Sequence, residues 1–196
     1  MIWHGLALVL LLTVLLAEFR FMSGAVLLSD ESFNFRQISR FLEGDISMEP
    51  GMNVIPGYHA LVALALFVFN KSGVFSARFF STGIAFAMVA GFYLLTGKIA
   101  PRPSLLKTLQ FTFLPLLFPF FPLVYTDILA LLLVLLAFYL ALLRRYTLAG
   151  VVGILSILAR TNNIAWFAFL YVFSYYDQYG LEWRAFPKSL RKTWIY

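Results

Sequence analysis

Three short clusters hold the side chains of this chain that could do chemistry. The first is Asp30-Glu31, just past the end of a long apolar run. A carboxylate at a membrane boundary is partly desolvated, which raises its pKa and its strength as a general base. The alternative is a solvated pair at a helix start, with Ser29 or Asp30 capping the helix that follows. The second is Tyr125-Thr126-Asp127, between two apolar runs and without a basic neighbour in sequence. Ionisable groups at membrane helix ends are costly and usually functional. Asp127 is equally a good N-cap for a helix from Ile128, and both roles can hold at once. The third is Arg160-Thr161-Asn162-Asn163, with Trp166 just beyond. An arginine beside three hydrogen-bonding side chains can hold a phosphate or diphosphate. The alternative is a polar bridge between helices, Arg160 to Asp127, with Trp166 as an interfacial belt residue.

Other chemistries are poorly served. The chain has no cysteine, which excludes disulfide, zinc-thiolate and thiol chemistry. His4 and His59 are far apart and belong to no metal-like cluster, so packing or interface placement suits His59 better than ligation. No phosphate-binding glycine loop, Ser-His-Asp order or zinc spacing is present. Neither a metal nor a cofactor is expected. The net charge of +6 does not point to nucleic acid. The basic residues sit singly or in pairs at the ends of apolar runs, where they act as topology signals.

The elements that position these clusters follow from composition. Of 196 residues 62% are hydrophobic and 12% charged, and the mean hydropathy is +0.86. A soluble domain is about half apolar and about a quarter charged. No soluble fold of this length hides so much apolar surface, so the solvent for these residues is lipid. The expected fold class is all-α, a polytopic transmembrane helix bundle forming one module over residues 1–196. Candidate spans cover residues 2–22, 79–97, 108–125, 128–143, 147–159 and 164–176, against about 20 residues needed to cross a bilayer. The first is read as a retained helix, since no basic residue precedes it and no small-x-small cleavage site follows. Pro115, Pro119 and Pro122 would kink or break an isolated helix, although a bundle can satisfy the freed carbonyls.

Residues 55–69 form a seventh apolar run, short for a full span. If it lies at the interface or only dips into the bilayer, Lys98, Arg102, Lys107, Arg144 and Arg145 fall on the cytoplasmic side. So does a basic tail over residues 177–196, with Arg184, Lys188, Arg191 and Lys192. Lys71 and Arg78 are then left outside. The acidic loop of residues 23–56 also lies outside, with Asp30, Glu31, Glu43, Asp45 and Glu49, five of the nine acids of the chain. Within it, residues 33–42 have the spacing of a juxtamembrane helix, stopped at Gly44-Asp45 and followed by a turn at Glu49-Pro50-Gly51. This topology gathers Asp30, Asp127 and Arg160 on one outer face. Two carboxylates and a cation there suit a polar group attached to a lipid phosphate.

At these positions the sequence resembles a known family. Asp30-Glu31-x-Phe33, then Gln37, Gly44 and Pro56-Gly57-Tyr58, is similar to the first loop of the Alg10/Die2 alpha-1,2-glucosyltransferases. Tyr125-Thr126-Asp127 resembles that family's YTD, and Arg160-Thr161-Asn162-Asn163-Ile164-Ala165-Trp166 its R-Q-T-N-I-V-W. Order and approximate spacing agree over nearly the whole chain. Members of that family are longer, and the likeness covers their N-terminal, catalytic-side part, so the chain reads as a fragment, as a divergent relative with a smaller acceptor, or as an inactive member. The resemblance implies a GT-C glycosyltransferase in the endoplasmic reticulum membrane, or in the plasma membrane of a prokaryote. It implies transfer of a hexose, glucose in that family, with inversion, from a dolichyl- or other polyprenyl-phosphate donor to a lipid-linked glycan at the lumenal or periplasmic face. By the same resemblance Asp30 is the base, Glu31 supports it and Asp127 positions the acceptor. Arg160 then offsets the leaving phosphate, and Gln37, Tyr58, Tyr125, Thr126, Asn162, Asn163 and Trp166 line the substrate site. Asn34 stands where the family has histidine, Thr161 and Asn162 where it has Gln and Thr, and Tyr58 follows Gly57 without the family's intervening Leu. The competing reading is a non-catalytic polytopic protein, a transporter-like or scaffold bundle, with Asp127 and Arg160 paired inside it.

Overall fold

The computed structural model describes residues 2–52, 54–180 and 182, and among these the chain is helical with no strand. The helices are α1 (Ile2–Met22), α2 (Ser29–Leu42), α3 (Gly57–Val68), α4 (Val74–Ile99), α5 (Ser104–Thr112), α6 (Thr126–Leu142), α7 (Tyr146–Ala159) and α8 (Ile164–Tyr179). Single turns of 3-10 helix lie at Phe118–Phe120 and Thr161–Asn163. The expected basic residues Arg184, Lys188, Arg191 and Lys192 lie outside the described residues.

Helix α6 is the hub: it packs along α4 on one side and α7 on the other, with α8 closing against both α6 and α7. Helices α2 and α3 pack together, α3 also meets α4, α6 and α7, and α1 leans on α4. The main core joins Leu66 of α3, Met88 of α4, Val124 of the loop before α6, and Ile128 and Leu129 of α6, with Ile38 of α2. A smaller cluster of Ala137, Ala141, Ala149 and Leu170 seals α6, α7 and α8 through short side chains that let the backbones approach.

The outer surface is apolar as well. Val9, Leu10, Phe67, Phe79, Leu148, Val151, Ile154, Phe169 and Val172 are all exposed. Water-soluble monomers rarely expose apolar surface on that scale, whereas lipid is a fitting solvent for it. Among the described residues one helix, α4, combines the length and apolarity needed to cross a membrane, and α3, α6 and α7 are shorter apolar helices. At 1.5 Å per residue, the 12 residues of α3 rise only about 18 Å, well short of the ~30 Å hydrocarbon core.

Two expectations are corrected. No single spanning helix covers residues 108–125: α5 ends at Thr112, and the chain continues as turns through Pro115, Pro119 and Pro122 to the 3-10 turn. Each proline lacks an N–H and clashes with the preceding turn, so the helix cannot propagate. The segment instead folds inward, burying Phe121, Leu123 and Val124. Nor do the expected residues cap their helices. Helix α2 begins at Ser29 with Leu28 as N-cap, and α6 begins at Thr126 with Tyr125 as N-cap. Asp30, Glu31 and Asp127 all fall in first turns, where a negative charge meets the positive end of the helix dipole.

Candidate active site

The site is built outward from the first two turns of α2. Glu31, Asn34, Gln37 and Ile38 recur at helical spacing and are buried, whereas Asp30, Phe33 and Arg36 are exposed. Adjacent Asp30 and Glu31 therefore point to different surroundings: one carboxylate outward, the other into the core.

Glu31 meets Arg78 of α4. Its Oε1 accepts from Arg78 Nε at 2.8 Å and its Oε2 from Arg78 Nη2 at 2.7 Å, with both side chains fully buried. A bidentate fork is the strongest geometry for this pair. The remaining guanidinium hydrogens reach the chain end of α1: Nη1 donates to the carbonyls of Met22 at 2.6 Å and Ala25 at 2.9 Å, and Nη2 to Val26 at 3.3 Å. Glu31 also accepts the backbone N–H of Leu28 at 3.3 Å and of Val124 at 3.1 Å. This one ion pair thus ties α1, α2, α4 and the approach to α6. Arg78, read from sequence only as a charge left outside, is neutralised here. A lone arginine beside an apolar helix run was the available signal for such a role.

Asn34, one turn after Glu31, grips the same residue. Its Nδ2 donates to the Val124 carbonyl at 2.9 Å, so its Oδ1 is the acceptor that meets His59 Nε2 at 2.9 Å. That arrangement fixes the Nε2–H tautomer of His59. Its Nδ1 is buried with no hydrogen-bond partner among the described residues. Both polar groups of Val124 are therefore held by α2.

Tyr125-Thr126-Asp127 follows directly. The Tyr125 ring stands edge-on to Phe120 at 5.2 Å between centroids. Its phenol is pushed above the ordinary value by burial, and further by the negative charges of Asp30 and Glu31. Thr126 is buried at the head of α6. Asp127 pairs with Arg160, and both side chains are half-exposed. Arg160 sits where extended backbone leaves α7, and Asp30 makes no ion pair among the described residues. The structure thus pairs Asp127 with Arg160, and it holds Val124, the residue before Tyr125, against α2 next to Asp30 through Glu31 and Asn34.

Other expected site residues are engaged in the scaffold. Gln37 is fully buried, its amide donating to the Ser47 carbonyl at 3.1 Å and accepting the Glu49 N–H at 2.6 Å. Tyr58 is buried with its hydroxyl 2.7 Å from Ser81 Oγ. Asn163 donates to the carbonyls of Ala130 at 3.3 Å and Ser156 at 3.2 Å, joining α6 to α7. Asn162 is exposed on the turn beside Arg160. Trp166 is exposed and meets Phe138 edge-on, about three turns along α6 from Asp127.

With this geometry in place, comparison with known proteins decides the lineage. Residues 26–193 match the model of the DIE2/ALG10 family, which covers all three clusters and most of the chain. The chain belongs to the DIE2/ALG10 family. No curated protein and no solved structure matches it significantly. Membership in the DIE2/ALG10 family implies a membrane glycosyltransferase of protein N-glycosylation, working between a lipid-linked sugar donor and a glycan acceptor. The family is normally one of the endoplasmic reticulum membrane. For a DIE2/ALG10 chain, the clamp on Val124 is the local device that sets the two acidic clusters beside each other.

Proposed function

We propose that this chain supplies the acceptor-activating and phosphate-facing groups for transfer of a hexose, glucose by family resemblance, from a dolichyl- or polyprenyl-phosphate donor to a lipid-linked glycan on the lumenal or periplasmic face. The observation carrying this reading is the hold of α2 on Val124, which sets the exposed Asp30, without an ion pair among the described residues, beside the segment leading into the Asp127–Arg160 pair. Asp30 removes the proton from an acceptor hydroxyl. The oxygen attacks the anomeric carbon from the face opposite the phosphate, and the bond from that carbon to the phosphate oxygen breaks with inversion. The proton stays on Asp30, and the electron pair leaves on the lipid phosphate, where Arg160 offsets the growing charge. Asp127 holds Arg160 at the mouth of the site and orients the acceptor. Glu31, paired with Arg78 in the core, supports the base by holding the segment in place.

The membrane arrangement that goes with this reading is a multi-pass bundle of about six crossings, counting α5 and the broken proline segment after it as one, with α3 lying at the outer interface. Its shortness and its exposed Leu61, Leu64 and Phe67 support that placement. A second reading has one specific observation behind it: the Asp127–Arg160 pair is also what a non-catalytic bundle would use to join α6 and α7. The Asp30→Asn variant, assayed with dolichyl-phosphate glucose and a lipid-linked glycan, separates the two. Loss of transfer with unchanged membrane insertion supports the base. Normal transfer by that variant removes Asp30 from the mechanism, and a native chain that neither transfers nor binds the donor leaves the scaffold reading.

A further inference from the structure

We infer that Arg78 and His59 are positioning residues for the site, acting through α2 on the backbone N–H and C=O of Val124. Neither side chain belongs to the three clusters, and among the described residues neither has a hydrogen bond or ion pair to Tyr125, Thr126 or Asp127. Their leverage comes from geometry. Glu31 and Asn34 stand one turn apart on the buried face of α2 and bind opposite ends of Val124, the N–H at 3.1 Å and the carbonyl at 2.9 Å. Each is itself fixed from behind by another helix. Arg78 of α4 locks both oxygens of Glu31, and His59 of α3 donates to the Oδ1 of Asn34. Without Arg78 the Glu31 carboxylate would be an uncompensated charge in a fully buried place and could not stay there. Without the His59 donor the Asn34 amide is free to turn over, which would aim its NH2 group away from the Val124 carbonyl.

The consequence falls on the active residues. Val124 immediately precedes Tyr125-Thr126-Asp127, while Asp30 immediately precedes Glu31. The clamp therefore couples the two acidic clusters across 93 residues of sequence through contacts at their direct neighbours. A slip of the clamp moves Asp127 and Arg160 relative to Asp30 without touching any of the three. Because such a slip alters the alignment of base, acceptor and phosphate more than it alters binding of the long lipid donor, it acts on kcat before KM.

This inference rests on the glycosyltransfer reading for its kinetic consequence but not for its structural one, and the test uses both. The chain has no cysteine, so paired cysteines can be introduced without background. Asp30→Cys with Tyr125→Cys, treated with a short bifunctional thiol reagent in membranes, reports the spacing directly. Crosslinking is expected in the otherwise native chain. Adding Arg78→Lys or Asn34→Ala is expected to lower its yield several-fold while the protein stays membrane-inserted and helical by circular dichroism. His59→Phe is expected to do the same more weakly. In the chain with Asp30 and Tyr125 intact, Arg78→Lys should lower kcat at least about tenfold, with the KM for dolichyl-phosphate glucose changed by less than about threefold, as for lost alignment. Unchanged crosslinking in both Arg78→Lys and Asn34→Ala overturns the clamp, whatever the activity. Crosslinking as expected in the double-cysteine chain, with no sugar transfer by the native chain, overturns the functional reading and leaves the clamp standing. A rise in KM with unchanged kcat would make Arg78 part of donor binding instead.

Discussion

Glu31 and Val124 are joined by a hydrogen bond of 3.1 Å from the Val124 N–H to Glu31 Oε1, although 93 residues separate them. The bond is possible because Arg78 brings its full guanidinium charge to the same carboxylate. Burying an ion pair carries a large desolvation penalty, repaid only by near-ideal geometry and by partners for the remaining lone pairs and hydrogens. Here the fork is bidentate, Glu31 has two backbone N–H donors and Arg78 three backbone carbonyl acceptors.

That balance gives a stability prediction. Arg78→Met leaves Glu31 charged and buried and should cost about 3–5 kcal/mol, and Glu31→Gln alone should cost a comparable amount by stranding the guanidinium. The double variant Glu31→Gln with Arg78→Met should recover a large part of that loss, because no buried charge is left unpaired. Thermal unfolding in detergent, followed by circular dichroism, measures all three. A double variant as unstable as the sum of its parents would mean that the two residues act independently.

A second prediction concerns Gly57. A Cβ built there would lie 2.6 Å from the carbonyl oxygen of Leu158, near the end of α7 and two residues before Arg160. The obstacle is backbone, which cannot rotate away as a side chain can. Gly57→Ala should therefore push α3 from α7, at a cost in the ~1–3 kcal/mol range of overpacked sites, and displace Arg160. Falling melting temperature together with reduced transfer is the expected result. Gly83 has open space around its Cβ position, so Gly83→Ala is the control and should be neutral or slightly stabilising, as alanine is in a helix.

The legible part of this architecture is the part set by local pattern. The bounds of α1 follow from a long, mostly apolar run. The start of α7 and the break at Gly44, whose φ is +82°, follow from neighbouring residue types. The helix over residues 33–42 was visible too, but its true start at Ser29 was not. Ser29 and Asp30 look like caps, whereas the orphan N–H of Leu28 is met by Glu31 inside the helix. The proline segment was recognisable as a weak helix, yet its inward fold depends on Val124 being held by α2, a contact that no window of sequence contains. The pairing of Asp127 with Arg160 could be weighed because both were singled out as charges at helix ends. The pairing of Glu31 with Arg78 could not, since Arg78 reads equally well as a topology signal. In the site, residue types marked the clusters, but only the fold separates outward Asp30 from inward Glu31.

The last prediction lies in the acidic loop, outside the bundle. Arg36 Nε contacts Glu49 at 2.7 Å, and Arg40 reaches Asp45 at 2.7 Å and Glu49 at 3.4 Å, with Ser47 also hydrogen-bonded to Asp45 at 2.6 Å. Hydrogen bonds from Ser47 hold the Asp45 carboxyl below its ordinary value, and the bond from Arg36 does the same for Glu49. A carboxylate whose folded pKa is depressed contributes stability that is present above its unfolded pKa and lost as pH falls through the folded one. The loop should therefore stay closed at neutral pH and open as the medium is acidified below the ordinary carboxylate range. Because these pairs are at the surface, raised salt should weaken them as well. Amide hydrogen exchange of residues 43–52 measured against pH at fixed salt, and against salt at neutral pH, reads both effects. Exchange that is flat in both series would show the loop held by the two backbone bonds of Gln37 alone, a contact that neither protons nor salt disturb.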